Sequence, residues 1–113
     1  MTIASPLRYP GGKSSFSDLL ARIIELNQFG SCCMVEPYCG GAGASLELLQ
    51  RGYVDRLVLN DLDPDISAFW TSVLGRNDDF VARVLSTIPS SEEWHFQRHV
   101  LSSSSSTLFD RGF

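Results

Sequence analysis

The sequence is short of positive charge, of long apolar runs and of paired cysteines, and each shortage excludes a class of protein. Nine Lys and Arg against thirteen Asp and Glu leave a formal charge of −4, with a pI near 4.9. A chain that grips nucleic acid by itself needs a Lys/Arg surface for the phosphates. If DNA is the substrate, most of the binding surface lies elsewhere. No stretch approaches the roughly 20 continuous apolar residues of a membrane span. Residues 1–10 lack the basic start and apolar middle of a secretion signal, so the expected compartment is the cytoplasm. Cys32, Cys33 and Cys39 are odd in number, clustered and without a C-x-x-C pair, which argues against a disulfide framework. Adjacent prolines are also missing: Pro6, Pro10, Pro37, Pro64 and Pro89 each stand alone.

What is present describes a soluble globular chain. Its 113 residues are 43% apolar and 11% aromatic, with a mean hydropathy of +0.01. That composition is too apolar for a disordered tail, and the length allows one domain at most. Such a chain buries roughly 65% of its unfolded surface, provided that every element needed to close the core is present.

A turn-forming cluster, Arg8-Tyr9-Pro10-Gly11-Gly12-Lys13, precedes a helix capped by Ser14 or Ser15 and ending near Gly30. Its apolar positions Phe16, Leu19, Leu20, Ile23, Ile24 and Leu26 mostly follow the 3.6-residue period. The run 32–38 reads as a strand buried on both faces, halted by Cys39-Gly40-Gly41-Ala42-Gly43. A helix over 44–51, burying Leu46 and Leu49, stops at Gly52. A second buried strand over 56–60 ends on Asp61. Asp63 then caps a helix with Pro64 in its first turn and Phe69, Trp70, Val73 and Leu74 on its apolar face. Further helices are expected over 79–88 and after a Ser90-x-x-Glu93 capping box. The five-serine run 102–106 reads as a solvated linker, so the chain divides into 1–101 and a linker with a truncated end, 102–113.

The element order predicts an α/β layer with a parallel sheet and flanking helices. Only two strands are convincing, whereas sheets usually hold about five or six. The fold is therefore expected to be incomplete, with an open sheet edge that self-association would cover.

A Gly-rich turn between strand and helix lets backbone approach a ligand closely and points N–H groups at it. In open α/β sheets that ligand lies beyond the carboxyl ends of the strands. Asp61 stands 20 positions after Gly41, close to the spacing of about 20 for an acid that accepts hydrogen bonds from ribose hydroxyls. A P-loop is excluded, since Leu7 stands where its first glycine belongs ahead of Gly12-Lys13-Ser14. A dinucleotide fingerprint lacks its third small residue, because Leu46 is there. A single nucleoside-bearing ligand without pyrophosphate fits better, with a merely tight turn as the plain alternative.

The segments Leu7-Arg8-Tyr9-Pro10-Gly11-Gly12-Lys13, Val35-Glu36-Pro37-Tyr38-Cys39-Gly40-Gly41-Ala42-Gly43-Ala44 and Leu59-Asn60-Asp61-Leu62-Asp63 together resemble the adenine-specific DNA methyltransferases. More narrowly, they are similar to the DNA adenine methylase group, which places its P-G-G-K motif first. The likeness runs over nearly the whole chain, including 53–56 and 68–70. It implies an incomplete Rossmann-like methyltransferase fold that binds S-adenosylmethionine. Carried over by position, Tyr9 packs on the cofactor and Lys13 frames its pocket. The loop from Gly40 through Gly41 to Gly43 wraps the methionine portion, helped by Glu36, and Tyr38 belongs to the same motif. Asp61 takes the ribose hydroxyls and Leu62 lies against the adenine ring. One departure leaves open whether Gly40 or Gly41 fills the loop's first glycine role.

A larger departure is that the family's catalytic Asp-Pro-Pro-aromatic tetrapeptide is not in these 113 residues. In the family it accepts hydrogen bonds from the exocyclic amine of a flipped adenine and stacks on the base, a step that costs a few kcal/mol of unstacking. No catalytic residue and no metal ligand is assigned: Asp110 has no following prolines, and His95 and His99, four apart, read as surface residues. The resemblance thus implies the cofactor-binding part of an enzyme acting on double-stranded DNA, catalytically incomplete and with little DNA affinity alone. The alternative is a non-enzymatic S-adenosylmethionine-binding remnant or one half of a split enzyme.

Overall fold

A computed structural model describes residues 5–113. Residues 1–4, part of the stretch that lacks a secretion signal, lie outside the described residues. The chain divides into two compact units, with the boundary between Asp61 and Leu62.

The first unit contains a 3-10 turn, Ser14–Phe16, followed by α1 (Ser17–Leu26), β1 (Cys33–Glu36), α2 (Gly43–Gln50) and β2 (Arg56–Leu59). The strands pair in parallel, Cys33 opposite Arg56 and Glu36 opposite Leu59. Parallel neighbours need a crossover, and α2 is that crossover. Ala21, Leu48 and Val54 form the core, with Leu20, Ile24, Met34 and Leu57 packed around them.

Several expectations are corrected here. No side chain caps α1, because residues 14–16 form the 3-10 turn, and the helix ends at Leu26 rather than near Gly30. Its inward stripe is narrow: Ser17 and Ala21, small and one turn apart, are buried, while Phe16, Leu19, Ile23 and Leu26 stay exposed. In α2, Leu48 is fully buried rather than Leu46 and Leu49, because Ala44, Ser45 and Leu48 share the inward face. The strands are covered on one face only, leaving Val35 at 62% and Val58 at 46% exposure on the other.

The second unit holds α3 (Pro64–Gly75), α4 (Asn77–Ser86), α5 (Ser91–Ser102) and α6 (Leu108–Gly112), giving six helices and one two-stranded sheet among the described residues. Asp63 caps α3 by accepting from the Asp65 N–H at 2.9 Å, with Pro64 in its first turn as expected. Trp70 is buried, whereas Leu74 is exposed. At α5 the Ser90 hydroxyl accepts from Glu93 N–H at 3.0 Å, but the Glu93 carboxylate bonds Gln97 at 2.7 Å, so one half of the expected box forms.

The segment 102–113, expected as a linker, carries α6. Thr107 and Asp110 make a reciprocal capping box, and Arg111 pairs with Asp65 at 2.6 Å. Gly112 sits against the Ala68 carbonyl, leaving no room for a Cβ. Phe80 meets Phe109 and Phe113 edge to face at 6.2 and 5.9 Å. The serine run therefore makes a tight connection, with Ser106 Oγ donating to the Val100 carbonyl at 2.6 Å.

Candidate functional site

The carboxyl ends of β1 and β2 lie side by side, and backbone bonds carry their register into the loops. Asn60 N–H donates to the Glu36 carbonyl and Cys39 N–H to the Asn60 carbonyl, each at 2.9 Å. The Asn60 side chain donates to the Pro37 carbonyl at 2.9 Å. These bonds bring Asp61 to the glycine loop, where its Oδ2 accepts from Gly40 N–H at 2.8 Å. Gly40 has φ +49° and Ala42 φ +51°, so the turn uses the left-handed region twice, once at a residue with a Cβ. Gly40 thus makes the first left-handed bend of the loop.

Glu36 is the last residue of β1 and is buried at 6% exposure. Its Oε1 lies 3.0 Å from Lys13 Nζ, and its Oε2 accepts from the hydroxyl of Ser45, which is itself fully buried in the first turn of α2. Lys13, the chain's one lysine, also donates to the Tyr38 carbonyl at 2.6 Å. The structure therefore ties Lys13, Glu36 and Tyr38 into one cluster. The Tyr38 ring points outward at 72% exposure. Leu62, at 88% exposure, opens the second unit.

The glycines admit a close neighbour, and that neighbour is the chain's own early segment. A Cβ on Gly40 would stand 2.9 Å from the Tyr9 ring, and one on Gly41 2.8 Å from the Leu7 carbonyl. A Cβ on Gly43 would collide with the Ser14 hydroxyl. Ser5 Oγ donates to the Gly41 carbonyl, fixing the segment to the loop. A cavity of about 450 Å³ lies there, lined by Leu7, Arg8, Tyr9, Gly41 and Gly43 among others. A second, of about 320 Å³, is lined by Lys13, Met34, Glu36, Pro37 and Tyr38 with Phe16. Both volumes fall within the usual range for small-molecule sites, about 300–1,000 Å³.

Sequence reasoning missed Ser5 and Ser45, since short hydroxyl side chains read as surface or cap residues. Cys39 is buried beside the acids. Burial first, then the carboxylates of Asp61 and Glu36, pushes its thiol up from the ordinary value. His95 and His99 are exposed on α5. No group of three or more His, Cys, Asp or Glu able to hold a metal lies together among the described residues. No helix among them is long and apolar enough to cross a membrane.

An acid and a glycine loop thus lie side by side at the carboxyl ends of parallel strands in an α/β unit, the edge at which open α/β sheets in general take their ligands. The family model of the D12 class N6 adenine-specific DNA methyltransferases matches residues 9–104, and the chain belongs to that family. No curated protein and no solved structure matches it.

Proposed function

We propose that the chain is the S-adenosylmethionine-binding part of an adenine-specific DNA methyltransferase, built on an incomplete Rossmann-like fold over residues 1–101. The observation that carries this reading is the 2.8 Å bond between Asp61 and Gly40 at the ends of adjacent parallel strands. A ribose needs a fixed acceptor for its hydroxyls, and a charged amino-acid tail needs N–H groups and a counter-charge. Asp61 supplies the first, and the loop with the Lys13–Glu36 pair supplies the second. Tyr9 offers a ring against Gly40, Tyr38 and Gly43 border the two cavities, and Leu62 gives an apolar side chain for the adenine. The donor set thus fits an S-adenosyl amino acid. When bound, that cofactor supplies a methyl group activated by its sulfonium charge.

In this reading double-stranded DNA is the substrate of the whole enzyme, the acidic chain contributes little of the grip, and the compartment is the cytoplasm. The chain alone does not methylate, because nothing in it supplies the Asp-Pro-Pro-aromatic acceptor for the adenine amine. Titration calorimetry of the 113-residue protein with S-adenosylmethionine tests the binding. Saturable binding abolished by Asp61→Ala, with far-ultraviolet dichroism retained, is the expected result. No binding by the wild-type chain overturns the reading.

A further inference from the structure

Both oxygens of the Glu36 carboxylate are held, and only one of the holders is charged. Lys13 reaches Oε1 at 3.0 Å from a side chain that is 47% exposed, and the fully buried Ser45 hydroxyl reaches Oε2. A carboxylate has about four lone-pair sites, so two such bonds fix its plane and still leave acceptor capacity on each oxygen. Lys13 is itself anchored to the Tyr38 carbonyl. Ser45 is the rigid half of the arrangement, being locked in a helical turn with no exposed surface.

We infer that Ser45 is a positioning residue, which orients Glu36 toward the amino-acid end of an S-adenosyl ligand. This rests on the cofactor-binding reading above and adds to it a division of labour. The α-ammonium is the strongest donor such a ligand presents to a carboxylate, and a short charge-assisted bond depends on direction. The nucleoside end meets Asp61, which lies beyond the end of the other strand, β2, and bonds Gly40. Loosening Glu36 therefore weakens the grip on one end of the ligand and leaves the other intact.

A pair of ligands separates the two ends: S-adenosylhomocysteine, which keeps the amino-acid end, and 5′-methylthioadenosine, which lacks it. Ser45→Ala is expected to weaken S-adenosylhomocysteine about tenfold, the usual scale for losing a bond to a charged group, and to leave 5′-methylthioadenosine unchanged. Ser45→Cys keeps the branching with a slightly larger, weaker donor, and is expected to show a smaller loss with the same selectivity. In a Glu36→Gln background the further change Ser45→Ala is expected to add nothing to that selectivity. Equal weakening of both ligands, or of neither, overturns the role of Ser45 while the cofactor reading stands. A wild-type chain that binds neither ligand overturns both.

Discussion

The Tyr9 ring covers Gly40 so closely that a Cβ there would stand 2.9 Å from two of its ring carbons, and Gly40 holds φ +49°. A residue at the first bend of the loop and one 31 positions earlier therefore specify each other.

Gly40→Ala is expected to destabilise the first unit by about 2 kcal/mol, combining a left-handed backbone penalty with displacement of the ring. Urea unfolding measures it. In a Tyr9→Ala background the same substitution should cost less, because only the backbone part remains. Equal losses in both backgrounds would mean that the ring contact contributes nothing.

Asp110 carries a pH signature for the second unit. The Thr107 hydroxyl, then Arg83 at 2.9 Å, holds its carboxyl below the ordinary 3.8. A lowered folded pKa contributes stability that is complete above the ordinary value and lost as the pH falls through the folded one. Asp110→Asn should therefore cost about 1 kcal/mol at neutral pH, and the difference should shrink below pH 3.8. Emission of the buried Trp70 in a Trp94→Phe background reports it.

For Cys39 the sign is opposite. Its thiol is raised from 9.0 by burial and then by Asp61 and Glu36. Above that ordinary value the unfolded thiol gives up its proton while the folded one keeps it, so stability falls as pH rises. Cys39→Ala should flatten the alkaline limb of a stability profile measured from pH 7 to 10. Mass mapping after brief iodoacetamide treatment should find Cys33, which is exposed, modified well before Cys39.

Element order and the meeting of Asp61 with the glycine loop were legible where one residue type has one strong local reason. Pro64 behind Asp63 marks a helix start, and an acid 20 positions after Gly41 marks a strand end beside the loop. Inward faces were not legible in the short helices. Leu46, Leu48 and Leu49 are equally apolar, and the packing against Ala21 and Val54 selects Leu48. The neighbour of the glycines was hidden for a different reason. Glycine spacing reports that something comes close, and here that is Tyr9, Leu7 and Ser14 from across about 30 residues of chain. The serine run connects α5 to α6, and its composition alone does not show that Thr107, Asp110 and Gly112 supply a cap and a close approach within the next six residues.

The Asp61–Gly40 bond also sets a timetable for synthesis. Residues 39–42 leave the ribosome about 20 residues ahead of the acid that fixes them, so the loop stays unanchored until β2 has been made and laid beside β1. The second unit emerges only after that point. A pause while residues 40–60 emerge would prolong the interval in which β1 has no neighbouring strand, when aggregation competes best.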